Sequence, residues 1–282
     1  MKKLFICLIL CAFKLTGCER NPNVDPITSR QVVIFFNAKS ISTTSVKSTA
    51  DEVENSIKSL QLFGVDDKNN VIQSFPIIEN PSPNGTTLTL SRNIKSLYAI
   101  ANPSSVWEQA TSNVSELMNL TCDYTNTPQS PFLMGGKVDV YGYNVNIELI
   151  RSIAKIVVNG VDGFEVQSVT VKNTPSKGFV FAQTPLTIPS SGKVNYPETA
   201  NTTLYVAENI RQNPTTLTVK GIIDGKTIEK DVEFYVGGTL VNIERNKCYQ
   251  VTIAPMSEQD CNISISIVDW VEVDVDTHYF EY

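Results

Sequence analysis

The sequence has 282 residues, 41% of them hydrophobic, and carries 23 Lys and Arg against 29 Asp and Glu for a formal net charge of −6. That balance argues against nucleic acid or an anionic membrane surface as partner. The single histidine, His278, leaves no Ser/His/Asp set, no HExxH and no histidine metal cluster, and neither GxxxxGK nor GxGxxG occurs, so no enzyme and no cofactor is indicated.

The chain opens with Lys2 and Lys3, an apolar run over residues 4–13, and then Leu15-Thr16-Gly17-Cys18. The run is too short to cross a bilayer core of about 30 Å, and a charged start before a short apolar stretch and small residues describes a secretory signal. LTGC matches the bacterial lipoprotein pattern, in which Cys18 is acylated and becomes the first mature residue. Loss of residues 1–17 leaves 265 residues and, with Lys2, Lys3 and Lys14 gone, a net charge of −9. Cys122, Cys248 and Cys261 then remain, an odd number without a CxxC pair, which reads as buried thiols rather than a disulfide framework. Cys248 and Cys261 lie on consecutive expected strands, but a hairpin symmetric about Ser257 sets Cys261 opposite Ile253.

Residues 18–30 are polar, with Pro22 and Pro26, and read as a tether. Residues 31–39 (QVVIFFNAK) follow, where Val32, Val33, Ile34, Phe35 and Phe36 are consecutive and either β-branched or aromatic, a pattern suited to a strand buried on both faces. An uncharged run of this kind left exposed aggregates, so it is either paired inside its own fold or removed. Residues 40–49 (SISTTSVKST) read as an exposed linker around Lys47, the sort of site where proteases cut. Residues 57–65 and 71–75 form an expected hairpin about the cluster Asp66, Asp67, Lys68, Asn69 and Asn70, which lacks the bidentate Glu of a calcium loop.

Residues 86–90 and 94–101 are further strands. Ser105 and Glu108 then make a capping box for a helix with Trp107, Ala110, Val114, Leu117 and Met118 on one face. Residues 132–136, 137–141 and 146–158 return to strand, with Gly135-Gly136 and Gly237-Gly238 read as turn glycines. From residue 150 short strands recur at regular spacing, and Asp224-Gly225 supplies a two-residue hairpin turn. The expected fold is all-β: two sandwiches in series over residues 31–149 and 150–282, with one short helix in the first. At the C-terminal end Ile263, Ile265, Ile267, Val271, Val273 and Val275 hold one parity, interrupted only by Asp269, over a span too long for one strand. The expectation is a break near Asp269-Trp270. Beyond it, the residues around Val271, Val273 and Val275 form either a donor strand for a neighbour or a final strand of their own domain.

The order of these features, with IKSLQLFGVDDKNNVI, IKSLYAIANP, PFLMGGK, ELIRSIAKIVV, KCYQVTI and SIVDW, resembles the fimbrillin family of Bacteroides-type bacteria over nearly the whole chain. The resemblance implies two transthyretin-like β-sandwiches, export to the outer membrane as a lipoprotein, and assembly with other subunits into surface fimbriae. It further implies that a trypsin-like protease cuts after an Arg in the linker and frees the first strand, so that a neighbour's strand enters the groove. Here the corresponding position, ten residues before Ile57, holds Lys47, and Arg30 lies before the strand, where a cut opens nothing. Lys47 therefore serves a protease of lysine or mixed specificity, or the chain is an uncut, lipid-held anchor or accessory subunit, or Lys47 is an ordinary surface residue. The alternative is a monomeric surface lipoprotein that binds glycan or a host protein through its loops, with Trp107 or Trp270 stacking on sugar, although each lies within an apolar pattern that reads first as core. Acylation at Cys18 gives the first test: Cys18→Ala is expected to move the protein from the outer-membrane pellet to the soluble fraction with unchanged circular dichroism, and a mutant still in the pellet refutes it.

Overall fold

The structure is a computed structural model and describes residues 28–39, 53–104, 107, 112–257 and 260–270. Its first strand, β1 (Ser29–Ala38), starts before the apolar run and takes in Arg30, which had read as tether. The hairpin β2 (Ser59–Val65) and β3 (Val71–Ser74) turns through the acidic cluster as expected. The Asp66 carboxylate is taken up by the turn itself, accepting from the Lys68 and Asn70 N–H groups at 2.9 and 2.8 Å. The chain continues through β4 (Ile78–Glu79), β5 (Thr86–Ser91) and β6 (Ser96–Ala101) to the short helix α1 (Val114–Met118). Asn113, not Ser105, caps α1: its side-chain oxygen accepts the Glu116 N–H at 3.0 Å, while the Glu116 carboxylate accepts the Ser112 N–H at 2.6 Å. Ser105 and Glu108 lie outside the described residues, and Trp107 is not helical.

After β7 (Thr121–Asp123), the strands β8 (Met134–Asp139) and β9 (Asn144–Arg151) complete a sheet of order β3-β2-β6-β8-β9-β1-β5, with β4 beside β2. The sheet folds on itself. Layer β5-β1-β9 faces layer β3-β2-β6-β8, and the two meet at one corner where Met134 pairs with Arg151 and Gly135 with Ile150. At the opposite side the Gln73 side chain stitches β3 to β5, donating to Thr89 O and accepting from Ser91 N, both at 3.0 Å. Between the layers lies an apolar core that includes Ile34, Leu62, Leu90, Leu97 and Ile147.

A single residue, Ser152, separates β9 from β10 (Ile153–Gly160), which opens the second sandwich. Its strands are β11 (Glu165–Lys172), β12 (Thr174–Pro175), β13 (Lys177–Phe179), β14 (Lys193–Val194), β15 (Thr203–Ala207), β16 (Thr216–Ile223), β17 (Lys226–Val232), β18 (Tyr235–Val236), β19 (Thr239–Leu240), β20 (Lys247–Ser257) and β21 (Asp260–Asp269). Sheets β15-β10-β20-β21 and β11-β16-β17 enclose a core that includes Ile156, Val158, Val169, Val219 and Val251. Asp224 and Gly225, with φ of 47° and 76°, make the expected turn between β16 and β17.

Three expectations are corrected. The strands buried on both faces are β2 and β6 rather than β1, because α1 and the segment carrying Val180 and Phe181 cover the outer side of Phe63, Tyr98 and Ile100. Gly135 and Gly136 lie inside β8, not in a turn: a Cβ on Gly136 would fall 2.3 Å from Glu148 O, and one on Gly135 2.7 Å from Val180 O. The β20–β21 hairpin turns beyond Ser257, so Cys261 faces Pro255 and Cys248 faces Val268, and the two thiols sit at opposite ends of the hairpin. Gly136→Ala is therefore expected to destabilise by about 3 kcal/mol, the upper end of what overpacking a core costs, whereas Gly142→Ala, with nothing within 4 Å of the added methyl, stays within about 0.5 kcal/mol. Urea unfolding of the two variants checks this, and equal midpoints refute it.

Candidate functional site

β1 is an insert between two strands that do not otherwise meet. Over residues 29–34 it runs antiparallel to β5, from Ser29 opposite Ser91 to Ile34 opposite Thr86. Over residues 33–38 it runs parallel to β9, from Val33 opposite Asn144 to Ala38 opposite Leu149. Of the five residues singled out in the sequence, Val32 and Ile34 are fully buried in the core and Phe36 packs against it from the same face. Val33 and Phe35 point the other way and are half-buried, close against the Gly85 turn, where an added Cβ would lie 2.7 Å from Val33. Burying Val32, Ile34 and Phe36 contributes on the order of 5–10 kcal/mol before ordering costs.

Both ends of the strand are fixed. Arg30 donates to Ile94 O and Val140 O at 3.4 and 3.3 Å, Arg92 donates to Ser29 O at 3.2 Å, and the Val33 N–H reaches Tyr143 O at 2.7 Å. At the other end the Lys39 N–H bonds Leu149 O at 2.7 Å, and the Asn246 side chain donates to Lys39 O at 3.3 Å.

Asn246 belongs to a buried polar junction between the sandwiches. Its side-chain oxygen accepts from Arg151 Nη1 at 2.7 Å, while Arg151 also donates to Glu54 O at 3.3 Å and to Asn55 Oδ1. Lys39, Glu54 and Asn55, on either side of the stretch 40–52, thus meet on Arg151 and Asn246. The Glu54 carboxylate is 4% exposed and fully engaged: Oε1 takes Lys155 Nζ at 2.7 Å and Tyr205 OH at 2.5 Å, and Oε2 takes Trp270 Nε1 at 2.8 Å. Trp270, with no exposed surface, stacks on Tyr205 at 5.6 Å, meets the edge of Phe132 at 5.7 Å, and has the Arg151 guanidinium 4.6 Å over its ring. A second buried pair, Arg245 with Glu208 at 2.5 Å, donates to Val180 O and Phe179 O and so pins the segment that covers the first sandwich. Pairing of β7 with β13 adds a further link between the two halves.

Cys18, Lys47, Val271, Val273 and Val275 fall outside the described residues, as does His278. Trp270, offered above as a sugar platform, is instead closed inside the junction, which removes it from that role. Trp107 is half-buried against the cluster of Phe63 and Tyr98. Burial raises the Cys122 thiol pKa. Among the described residues no group of three or more His, Cys, Asp or Glu is placed to hold a metal ion. The junction itself went unrecognised in the sequence, although one signal was present. Arg151 and Lys155 interrupt the apolar run ELIRSIAKIVV, and a charge in a buried strand requires a partner.

The fold and site together define a class: two β-sandwiches in series, the first completed by an inserted opening strand. No family model and no curated protein matches the sequence. Solved structures do match in fold. A candidate cell adhesion protein from Bacteroides eggerthii is 16% identical, with a TM-score of 0.65 over 88% of this chain and 98% of that one. A candidate cell adhesion protein from Parabacteroides distasonis is 17% identical, with a TM-score of 0.63 over 86% and 97%. The tip fimbrial protein Mfa3 from Porphyromonas gingivalis, with C-terminal truncation, is 15% identical, with a TM-score of 0.59 over 86% and 100%. The chain has the fold of these proteins.

The junction gives a stability prediction. Lys155→Met strands the Glu54 carboxylate and is expected to cost about 3 kcal/mol, while adding Glu54→Leu recovers a substantial part of that loss because the uncompensated charge is gone. Equilibrium urea unfolding of both single variants and the double variant tests the coupling, and simple additivity refutes it.

Proposed function

We propose that this chain is a structural subunit of a cell-surface fimbrium, without catalytic activity, carried to the outer membrane by a lipid on Cys18. Its two units, expected over residues 31–149 and 150–282, are the stretch from β1 to the end of β9 and the stretch from β10 onward. The subunit is assembled by exchange of β1 for a strand of another subunit, or it remains uncut as the lipid-held anchor of the fibre. The observation that carries this reading is the placement of β1, which fills a slot between β5 and β9 and is reached through the flanking stretch 40–52, where Lys47 lies. Removing β1 exposes the core face that Val32, Ile34 and Phe36 cover, and an extended strand with apolar residues at every second position restores both the ladder and the burial. Fold likeness to a tip fimbrial protein supports the same reading.

The C-terminal residues around Val271, Val273 and Val275 are the proposed donor. Because Trp270 is part of the junction, a truncation that tests this starts at residue 271. Outer-membrane extracts run with and without boiling are expected to show a heat-sensitive ladder for the wild type. Deletion of residues 271–282 is expected to leave a folded subunit that gives no ladder, and Lys47→Ala is expected to keep the chain uncut and monomeric. A folded deletion variant that still forms the ladder refutes the donor assignment, and a wild type that never forms one leaves only the anchor or monomeric role.

A further inference from the structure

Three points of the chain converge on the junction: Lys39 just after β1, Glu54 with Asn55, and Trp270 just after β21. Asn246 connects the first to the third, donating from its side chain to Lys39 O at 3.3 Å and accepting the Trp270 N–H on its backbone oxygen at 3.2 Å. Its φ of 56° is a left-handed conformation that asparagine tolerates better than most residues. Glu54 connects the second to the third through the Trp270 Nε1 bond at 2.8 Å.

The direction of the chain here follows from the ladders. β1 is parallel to β9, which continues into β10 after Ser152; β10 is parallel to β20, and β21 is antiparallel to β20. β21 therefore runs back toward the first sandwich and delivers Trp270 against Glu54, Phe132 and Arg151. These groups hold it from all sides: a stacked Tyr205, an edge-on Phe132, a cation over the ring, and hydrogen bonds to both the indole and the backbone N–H.

We infer that Glu54 is a positioning residue for the C-terminal segment 271–282. It fixes the root of that segment at the junction and does so from the C-terminal side of the stretch 40–52. A cut anywhere within 40–52 separates β1 from Glu54 but leaves Glu54, Lys155, Tyr205 and Trp270 on one covalent chain. The root of the segment thus stays in place whether or not β1 is present. The consequence for assembly rests on the strand-exchange reading above, since a donor anchored at a fixed point reaches a neighbour with less orientational freedom to lose than a loose one. The anchoring itself does not depend on that reading.

The test uses the full chain in a Trp107→Phe background, which leaves Trp270 as the only tryptophan. A protease that cuts after glutamate has two sites in the segment, Glu272 beside the root and Glu281 near its end. Glu54→Ala is expected to red-shift Trp270 emission and to speed cleavage after Glu272 roughly tenfold, with cleavage after Glu281 and amide protection of Val32–Phe36 unchanged. Glu54→Gln, whose amide oxygen can accept from Trp270 Nε1 while its NH2 group donates to the Tyr205 hydroxyl, is expected to restore part of the Glu272 protection. A specific protease site placed within 40–52 and cut is expected to leave Trp270 emission and the Glu272 rate as in the intact chain. Unchanged cleavage after Glu272 in Glu54→Ala overturns the inference. So does release of Trp270 by the linker cut alone, and so does a Glu54→Ala variant in which β1 loses its protection together with the root, because Glu54 is then a general structural residue. Failure of strand exchange shows instead as the absent heat-sensitive ladder, whatever the Glu272 rate.

Discussion

Buried charge between the two sandwiches fixes how the described residues of each half meet. Isolated ionised groups removed from water are prohibitively costly, so Glu54, Arg151, Lys155, Glu208 and Arg245 are inside only because each has a partner whose own position is fixed. Those partners come from both halves of the chain. Sliding one sandwich over the other would leave a carboxylate or a guanidinium buried alone, which distinguishes this junction from the small polar interfaces that usually allow domains to move. Phe132, Tyr205 and Trp270 pack against one another beside the Glu54–Lys155 pair.

With the sandwiches so joined, the first is built around a strand that is less deeply covered than β2 and β6. β2 and β6 are covered on both faces, and their loss would expose α1, Phe181 and the core together. β1 commits one face to the core and shares its ladder between two neighbours, each over only part of its length. Those properties fit the exchange proposed above. The parallel ladder with β9 also means that the β1 direction is set by the second half of the first sandwich, not by a hairpin partner next to it in sequence.

Much of this was legible in the sequence, and the failures share a cause. Strand positions followed from alternation and turn chemistry: the Asp66–Asn70 turn and Asp224-Gly225 stand where their side chains dictate. The doubly buried reading of β1 failed because five apolar residues in a row record what each side chain tolerates, not how deep its cover is. Val33 and Phe35 lie half-buried against the Gly85 turn. Gly135-Gly136 looked like a turn because nothing in the sequence shows that Glu148 O and Val180 O approach that backbone. Glu54 was silent for the same reason: its partners lie 101 and 216 residues away, and only the fold brings them together. The helix is legible in its apolar spacing, but its cap is Asn113 rather than the earlier Ser105, because α1 spans only Val114–Met118.

The Gln73 stitch between β3 and β5 has a mechanical meaning for an emptied slot. β5 is paired along one side to β1 alone, so without Gln73 it would be a loose ribbon once that neighbour left. Held from behind by two hydrogen bonds to Thr89 and Ser91, it behaves as a jamb. Under the exchange proposed above, the opening between β5 and β9 would keep the width of one extended backbone, two strand spacings of about 4.8 Å.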